Sequence, residues 1–290
     1  MSRRIPSWLR TRLPSATETA RIRVHTYESG LPTICSEARC PNQGECSRLG
    51  TAAFLILGDR CTRNCAFCAV IHGAPRPVSP HDAKKVALAV KALGLKHAVV
   101  TSVTRDDLSD GGASVFAQVI HAIRNEVPAA TIEVLVPDFK GSIDAIDVVI
   151  QARPDVINHN LETVPRLYPA LRPQASYERS LALLQRVNQV APSIMTKSGI
   201  MMGVGESWPE VEELIRNLVT VNCRSLTVGQ YLQPTPAHYP VQRFVSPQEF
   251  ASLRERAIIL GMMSVQAGPL VRSSYHARET LAGRQPMTKT

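Results

Sequence analysis

From residue 52 onward, short apolar runs alternate with longer stretches in which apolar residues recur every three or four positions. Ala53–Leu57 (AFLIL) contains no polar residue and stops at Gly58-Asp59, which predicts a buried strand. Pro80–Leu93 has helical spacing, with Val86, Leu88–Val90 and Leu93 apolar and Gly94 just past its end. His97–Thr101 (HAVVT) predicts the next strand, and Asp110 can cap a helix over Gly111–Arg124. Ile132–Val136, Asp155–Asn158, Ile200–Gly203 and Ser225–Val228 complete a set of six strands. Helical stretches lie between them at about 142–152, 176–190 and 208–221.

Strands alternating with helices of this length imply βαβ units and a parallel sheet. No GxGxxG opens a helix and no Walker loop occurs, so neither nucleotide-binding fold is supported. The expectation is an α/β fold, a partial (β/α)6 TIM-type barrel with its site at the C-terminal strand ends. Before it, residues 14–50 read as loop, punctuated by Pro14, Gly30, Pro32, Pro41, Asn42 and Gly44. Three regions result: an extension over 1–50, the barrel over 51–245, and a helix and tail over 246–290.

Composition narrows the class further. The 290 residues are 44% hydrophobic and 20% charged, which excludes a disordered chain, a collagen-like repeat or a coiled coil. No uninterrupted apolar run reaches membrane-spanning length, so no membrane association is expected. Aromatics, at 5%, are too few for a single-strand stacking platform. Lysine and arginine number 33 against 24 acids, a net charge of +9 that suits either an acidic partner or a basic enzyme surface. Six arginines (Arg3, Arg4, Arg10, Arg12, Arg21, Arg23) and one acid, Glu18, fall in the first 24 residues, a texture shared with organelle transit peptides.

The cysteines carry the chemistry. Six of the seven form two groups of three, Cys35-x4-Cys40-x5-Cys46 and Cys61-x3-Cys65-x2-Cys68. A disulfide framework suits a small secreted domain, and this chain is large and lacks a secretory apolar segment. Zinc sites draw four ligands, commonly from two C-x2-C halves, whereas here each group offers three thiols. Two threes point to two centres, each short of one protein thiol. Thiolates are the preferred ligands of a cubane iron–sulfur cluster, and three of them leave one iron open to a small molecule. Cys223 stands apart and reads as a small hydrophobe.

C-x3-C-x2-C directly after the first strand of a barrel resembles the signature of the radical S-adenosylmethionine enzymes. Thr33–Asn42 (TICSEARCPN) is similar to the auxiliary-cluster motif of the lipoyl synthase family within them. The resemblance continues through Pro6–Arg10 (PSWLR), Gly58–Cys68 (GDRCTRNCAFC), Thr101–Asp110 (TSVTRDDLSD) and Asn158–Thr163 (NHNLET). It ends with Thr196–Glu206 (TKSGIMMGVGE), Gly229–Pro234 (GQYLQP) and Gly268–Ala277 (GPLVRSSYHA). Because it begins by residue 6, the expectation is an N-terminus that belongs to the folded enzyme, with no removable leader and a cytoplasmic location.

The resemblance implies radical insertion of two sulfur atoms, at C6 and C8 of an octanoyl chain already attached to a carrier-protein lysine. It implies two 4Fe-4S clusters and S-adenosylmethionine as cosubstrate. One cluster, on Cys61, Cys65 and Cys68, binds S-adenosylmethionine. The second, on Cys35, Cys40 and Cys46, is held by the N- and C-terminal extensions and gives up its sulfides. Its fourth ligand is a serine of Arg272-Ser273-Ser274-Tyr275; the resemblance favours Ser274, and spacing alone does not separate it from Ser273. Implied partners are octanoylated lipoyl carrier domains (2-oxoacid dehydrogenase subunits and the glycine cleavage H protein), a ferredoxin- or flavodoxin-type electron donor, and iron–sulfur carrier proteins. No nucleic acid is implied, and the chain is expected to act as a monomer.

Candidate cosubstrate contacts lie at the strand ends. Phe67 can meet the adenine edge, and Thr101 and Ser102 close the second strand. Asn160 and Glu162 can bind ribose hydroxyls or the methionyl amine, and Lys197 and Ser198, before the fifth strand, can hold the carboxylate. Each has an ordinary alternative as a helix cap or a partner for loop backbone. His159 reads as a hydrogen-bonded structural residue. A biotin-forming sulfur inserter would share the Cys61 group but lack the Cys35 group and the RSSY tail. A basic nucleic-acid module built on clustered cysteines would instead show steeply salt-dependent binding.

Overall fold

The computed structural model describes residues 4–10, 24, 26, 30–37, 40, 42, 45–46 and 52–274. Arg12, Arg21 and Arg23 of the basic N-terminal stretch, and Tyr275 to Ala277 at the end of the last matched block, lie outside them. One sheet holds seven strands in chain order: β1 (Ala53–Ile56), β2 (His97–Ser102), β3 (Thr131–Leu135), β4 (Val156–Asn158), β5 (Met195–Met202), β6 (Ser225–Gln230) and β7 (Ser264–Gly268). The helices between them are α1 (Asp82–Leu93), α2 (Ala113–Glu126), α3 (Ile143–Gln151), α4 (Tyr177–Val190), α5 (Trp208–Thr220) and α6 (Pro247–Ile259). Every neighbouring pair is parallel, and β1 and β7 are the two edges. This is a partial β/α barrel with an open side. No helix among the described residues is long and apolar enough to cross a membrane.

Two differences from the sequence expectation have a common cause. The sheet runs past residue 245 into a seventh strand, Ser264–Gly268, of which only Val265 is buried. A five-residue strand without an apolar run gives no periodic signal. The fifth strand starts at Met195 rather than Ile200, so Lys197 and Ser198 lie inside it rather than before it. Both side chains are wholly buried in spite of being polar. Burial there is made tolerable by partners, which a local pattern does not display.

Those partners form a layer inside the barrel. Lys197 Nζ donates to both oxygens of Glu133, at 3.0 and 3.3 Å, and Asn158 Nδ2 donates to Glu133 Oε1 at 3.1 Å. His97 Nε2 stands 3.6 Å from the other oxygen. Burial pushes the Glu133 carboxyl up, and the charges and hydrogen bonds of Lys197 and His97 together more than reverse it, leaving the group below its ordinary value.

Three of the helices, α3, α4 and α6, begin at hydroxyl caps. Ser176 accepts from Arg179 N and Ser142 from Ala145 N, while Ser246 and Glu249 make a reciprocal capping box ahead of α6. On α5 the stripe Val211, Leu214, Ile215 and Leu218 faces the sheet, at the spacing of one helical face.

Candidate functional site

The segment leaving β1 carries Cys61, Cys65 and Cys68 around the C-terminal end of the barrel. The two-residue strands Arg60–Cys61 and Ile71–His72 pair in parallel and close this loop on itself. Three neighbouring loops then hold it in place. After β2, Thr104 N donates to Cys61 Sγ at 3.3 Å, and Asp106 N donates to Thr62 Oγ1 at 3.0 Å. After β4, Ala66 N donates to Leu171 O at 2.9 Å. After β6, Tyr239 N donates to Ala66 O at 2.8 Å, and His238 Nε2 donates to Cys68 O at 3.0 Å.

Between the first two cysteines, Arg63 points inward and is almost wholly buried. Its guanidinium donates to Asp106 from Nε at 2.6 Å and to Asp138 Oδ1 from Nη2 at 2.6 Å. Asp138 Oδ2 takes a further bond from Arg179 Nη1 at 3.1 Å. Spacing shows none of this, because the partners are 43, 75 and 41 residues apart. The one legible hint was the acid-rich block Arg105-Asp106-Asp107 after a strand end.

Burial pushes the Cys68 thiol up to about 12, and the charges of Cys65 and Cys61 add to the shift. Burial likewise raises Cys65. Burial of this kind penalises a bare thiolate, and a soft cation bound to the sulfur removes the penalty.

The strand-end residues divide into engaged and open. Thr101 Oγ1 donates to Leu135 O at 3.0 Å, and Ser198 Oγ accepts from Leu161 N at 3.2 Å, so both serve backbone. Lys197 lies within the strand rather than before it, and its ammonium is bonded to Glu133 inside the barrel. Phe67 is half-buried and packs against the core. Asn160 Nδ2 donates to Glu162 Oε1 at 2.9 Å and to Ser273 Oγ at 2.7 Å. Burial pushes the Glu162 carboxyl above its ordinary value, with the Arg172 charge opposing. Arg172 Nη1 itself donates to the carbonyls of Asn160 and Leu161 and so fixes that loop.

Buried polar atoms with no partner among the described residues gather here: Ser102 Oγ, Asn160 Oδ1, Thr163 Oγ1, His159 Nε2 and Arg172 Nε. Such groups ordinarily find a partner in solvent or ligand. Buried donors and acceptors left unmet near the C-terminal strand ends are groups that a bound polar ligand can satisfy. His159 donates from Nδ1 to Val136 O at 2.8 Å, and burial lowers its pKa to about 4, so the ring is neutral.

The first cysteine group bridges the open side of the barrel. Thr33 pairs with Phe54 as an antiparallel bridge on the β1 edge, and Leu55 N donates to Pro32 O at 2.9 Å. Cys35 then packs with Ile34 on Ala53 and Val99, at the start of the barrel strands. On the other edge, Asn42 Nδ2 donates to Leu270 O, just past β7, at 2.6 Å. Burial raises Cys35 to about 11 and Cys46 to about 12, and the neighbouring thiols add to both shifts. Among the described residues, no three His, Cys, Asp or Glu side chains close around a single metal ion.

A profile of the radical SAM superfamily matches residues 55–218. Lipoyl synthase of Rubrobacter xylanophilus is 53% identical over 94% of this chain and 85% of its own length. That of Desulfotalea psychrophila is 53% identical, covering 94% and 92%, and that of Alkaliphilus metalliredigens 48%, covering 98% of both. The chain belongs to the lipoyl synthase family. Among solved structures, the FeFe-hydrogenase maturase HydG from Carboxydothermus hydrogenoformans superposes with a TM-score of 0.61 at 16% identity, over 79% of this chain and 55% of its own. Methylornithine synthase gives 0.57 at 15%, over 73% and 63%. The chain spans less than two-thirds of these structures, and the likeness shows a shared barrel fold. As a lipoyl synthase family member, the protein uses S-adenosylmethionine and iron–sulfur chemistry.

Proposed function

We infer that this protein inserts sulfur at C6 and C8 of a protein-bound octanoyl chain to make the lipoyl group. The observation that supports the reading is the pair of cysteine trios on separate segments, Cys35, Cys40 and Cys46 before β1 and Cys61, Cys65 and Cys68 after it, in a chain of the lipoyl synthase family. Saturated carbons have no acidic proton, so a general base cannot activate them. With clusters bound, the Cys61, Cys65, Cys68 site supplies one-electron cleavage of S-adenosylmethionine to a hydrogen-abstracting radical, and the Cys35, Cys40, Cys46 site supplies sulfide.

The chain's own residues orient these parts. Arg63, Thr104 and His238 fix the cysteine loop, and Arg172 fixes the loop of Asn160 and Glu162. Ser102, Asn160 and Glu162 are the cosubstrate contacts this arrangement favours, with Phe67 beside them. Ser273 is already engaged by Asn160, which favours Ser274 as the oxygen ligand of the second cluster. An oxygen ligand is a poorer match to iron than a thiolate, which suits a cluster that must release iron as it gives up sulfide.

The partners follow from this chemistry. They are octanoylated carrier domains of 2-oxoacid dehydrogenases and the H protein, a ferredoxin- or flavodoxin-type donor, and iron–sulfur carriers, in a reducing cytoplasm. The net charge of +9 favours acidic carriers.

The test is anaerobic reconstitution followed by mass spectrometry of an octanoyl-lysine peptide. Replacing Cys61, Cys65 and Cys68 with Ala should abolish 5′-deoxyadenosine. Replacing Cys35, Cys40 and Cys46 should preserve deoxyadenosine and abolish thiolation. Thiolated peptide from the second variant would overturn the sulfur-donor assignment.

A further inference from the structure

The segment after β7 is seated on the barrel by contacts too specific for a loose tail. Gly229, in β6, has no side chain where one would collide: a Cβ there would stand 2.0 Å from Val271 O. Leu270 O accepts from Asn42, Val271 N donates back to Gly268 O at 3.1 Å, and Val271 is buried. One residue past Arg272, the chain reaches the mouth, where Ser273 Oγ accepts from Asn160 at 2.7 Å.

Asn160 is held in one orientation. Its nitrogen faces the Glu162 carboxylate, which requires a donor, and both its N–H bonds are used. Its oxygen lies over Gly199, where a Cβ would come within 2.7 Å, and has no partner among the described residues. One amide therefore grips the β4 loop and the C-terminal segment together through its two donors.

We propose that Ser273 is a positioning residue. Its bond to Asn160 sets where the C-terminal segment, and with it Ser274 and the Cys35 group, stands relative to the cosubstrate mouth. The inference rests on the sulfur-insertion reading above and adds to it the element that aligns radical generation with sulfur delivery. A carbon radical formed out of reach of its sulfur is lost to reduction, so misalignment appears as deoxyadenosine made without product.

The experiment compares Ser273→Ala and Ser273→Thr with the parent, all reconstituted anaerobically and supplied with octanoyl-lysine peptide. Iron and sulfide per chain, and the cluster signal on adding S-adenosylmethionine, should stay at parent values in both. Ser273→Ala should make deoxyadenosine at the parent rate, while thiolated peptide per deoxyadenosine falls about tenfold. Ser273→Thr, which keeps the hydroxyl, should restore the ratio. Hydrogen exchange in the peptide spanning 268–274 should quicken in Ser273→Ala alone.

Unchanged coupling and exchange in Ser273→Ala would overturn the proposal. Loss of iron from the Cys35 group in Ser273→Ala would also overturn it, by making Ser273 a ligand. A parent enzyme that cleaves S-adenosylmethionine yet never thiolates the peptide would instead refute the underlying function.

Discussion

Arg63 and Asp138 meet at 2.6 Å inside the barrel mouth, the arginine between Cys61 and Cys65 and the aspartate past the end of β3. Burial pushes the Asp138 carboxyl up, and the Arg63 hydrogen bond and charge outweigh it, holding the group at about 2. The carboxylate is fully buried and the guanidinium nearly so, which makes this pair costly to break from one side.

Replacing Asp138 with Asn leaves no good amide orientation. Arg63 donates to one carboxylate oxygen and Arg179 to the other, so the amide NH2 must face a guanidinium either way. Asp138→Asn should cost about 3 kcal/mol in denaturant unfolding and lower iron retention at Cys61, Cys65 and Cys68. Because the folded pKa lies below the unfolded value, the stability Asp138 contributes is complete above about pH 4. It is lost as pH falls through about 2. Equal stability of Asp138→Asn and parent at pH 7 would show that Arg63 relies on Asp106 alone.

Inside the sheet, Lys197 and Glu133 make the second buried pair, and removing one charge strands the other. Lys197→Met should destabilise the fold by about 3–5 kcal/mol, and the double variant Lys197→Met with Glu133→Leu should recover most of that loss. Chemical denaturation of the three variants reads both numbers. A double variant no better than the single would mean that Asn158 and His97 hold the layer without the ion pair.

The uneven legibility of the chain follows from where its information sits. β1 was visible because AFLIL is apolar throughout and buried throughout. The start of β5 was not, since Thr196, Lys197 and Ser198 are polar residues buried with distant partners. β7 was hidden by having one buried residue in five. The two cysteine groups were legible because ligand spacing is local, and their assignment to one family came from matched blocks along the whole chain. The grip of Asn160 on Ser273 spans 113 residues, and no local pattern encodes it.

His159 supplies a pH dependence in a milder range. Burial, with the Arg172 charge assisting, lowers its pKa from 6.5 to about 4. The unfolded chain takes up this proton more readily, so stability should fall as pH drops from about 6.5 to about 4 and level off below. The loss from this group is about 3 kcal/mol. His159→Gln, which can still donate to Val136 O, should flatten that slope in unfolding measured across the range. An unchanged slope would assign it to another group.

Gly229 offers a test of the C-terminal seat that leaves every candidate ligand and hydroxyl in place. In Gly229→Ala the new methyl carbon would occupy the position 2.0 Å from Val271 O, and the obstacle is backbone, so the segment after β7 must move. The barrel should survive, because β6 is held by pairing on both sides, and overpacking of this kind costs about 1–3 kcal/mol. The displaced segment carries Leu270, which Asn42 grips, and Ser274 beyond it, so the consequence should fall on the Cys35 group. Reconstituted Gly229→Ala should lose iron from that group, keep the iron of the Cys61 group, and cleave S-adenosylmethionine without thiolating the octanoyl peptide. Selective labelling of the two groups, by repeating the iron count in a Cys61, Cys65, Cys68 to Ala background, separates the two losses. Retention of full iron and full thiolation in Gly229→Ala would show that the segment tolerates displacement, and that the close approach of Val271 to β6 is packing without consequence for sulfur delivery.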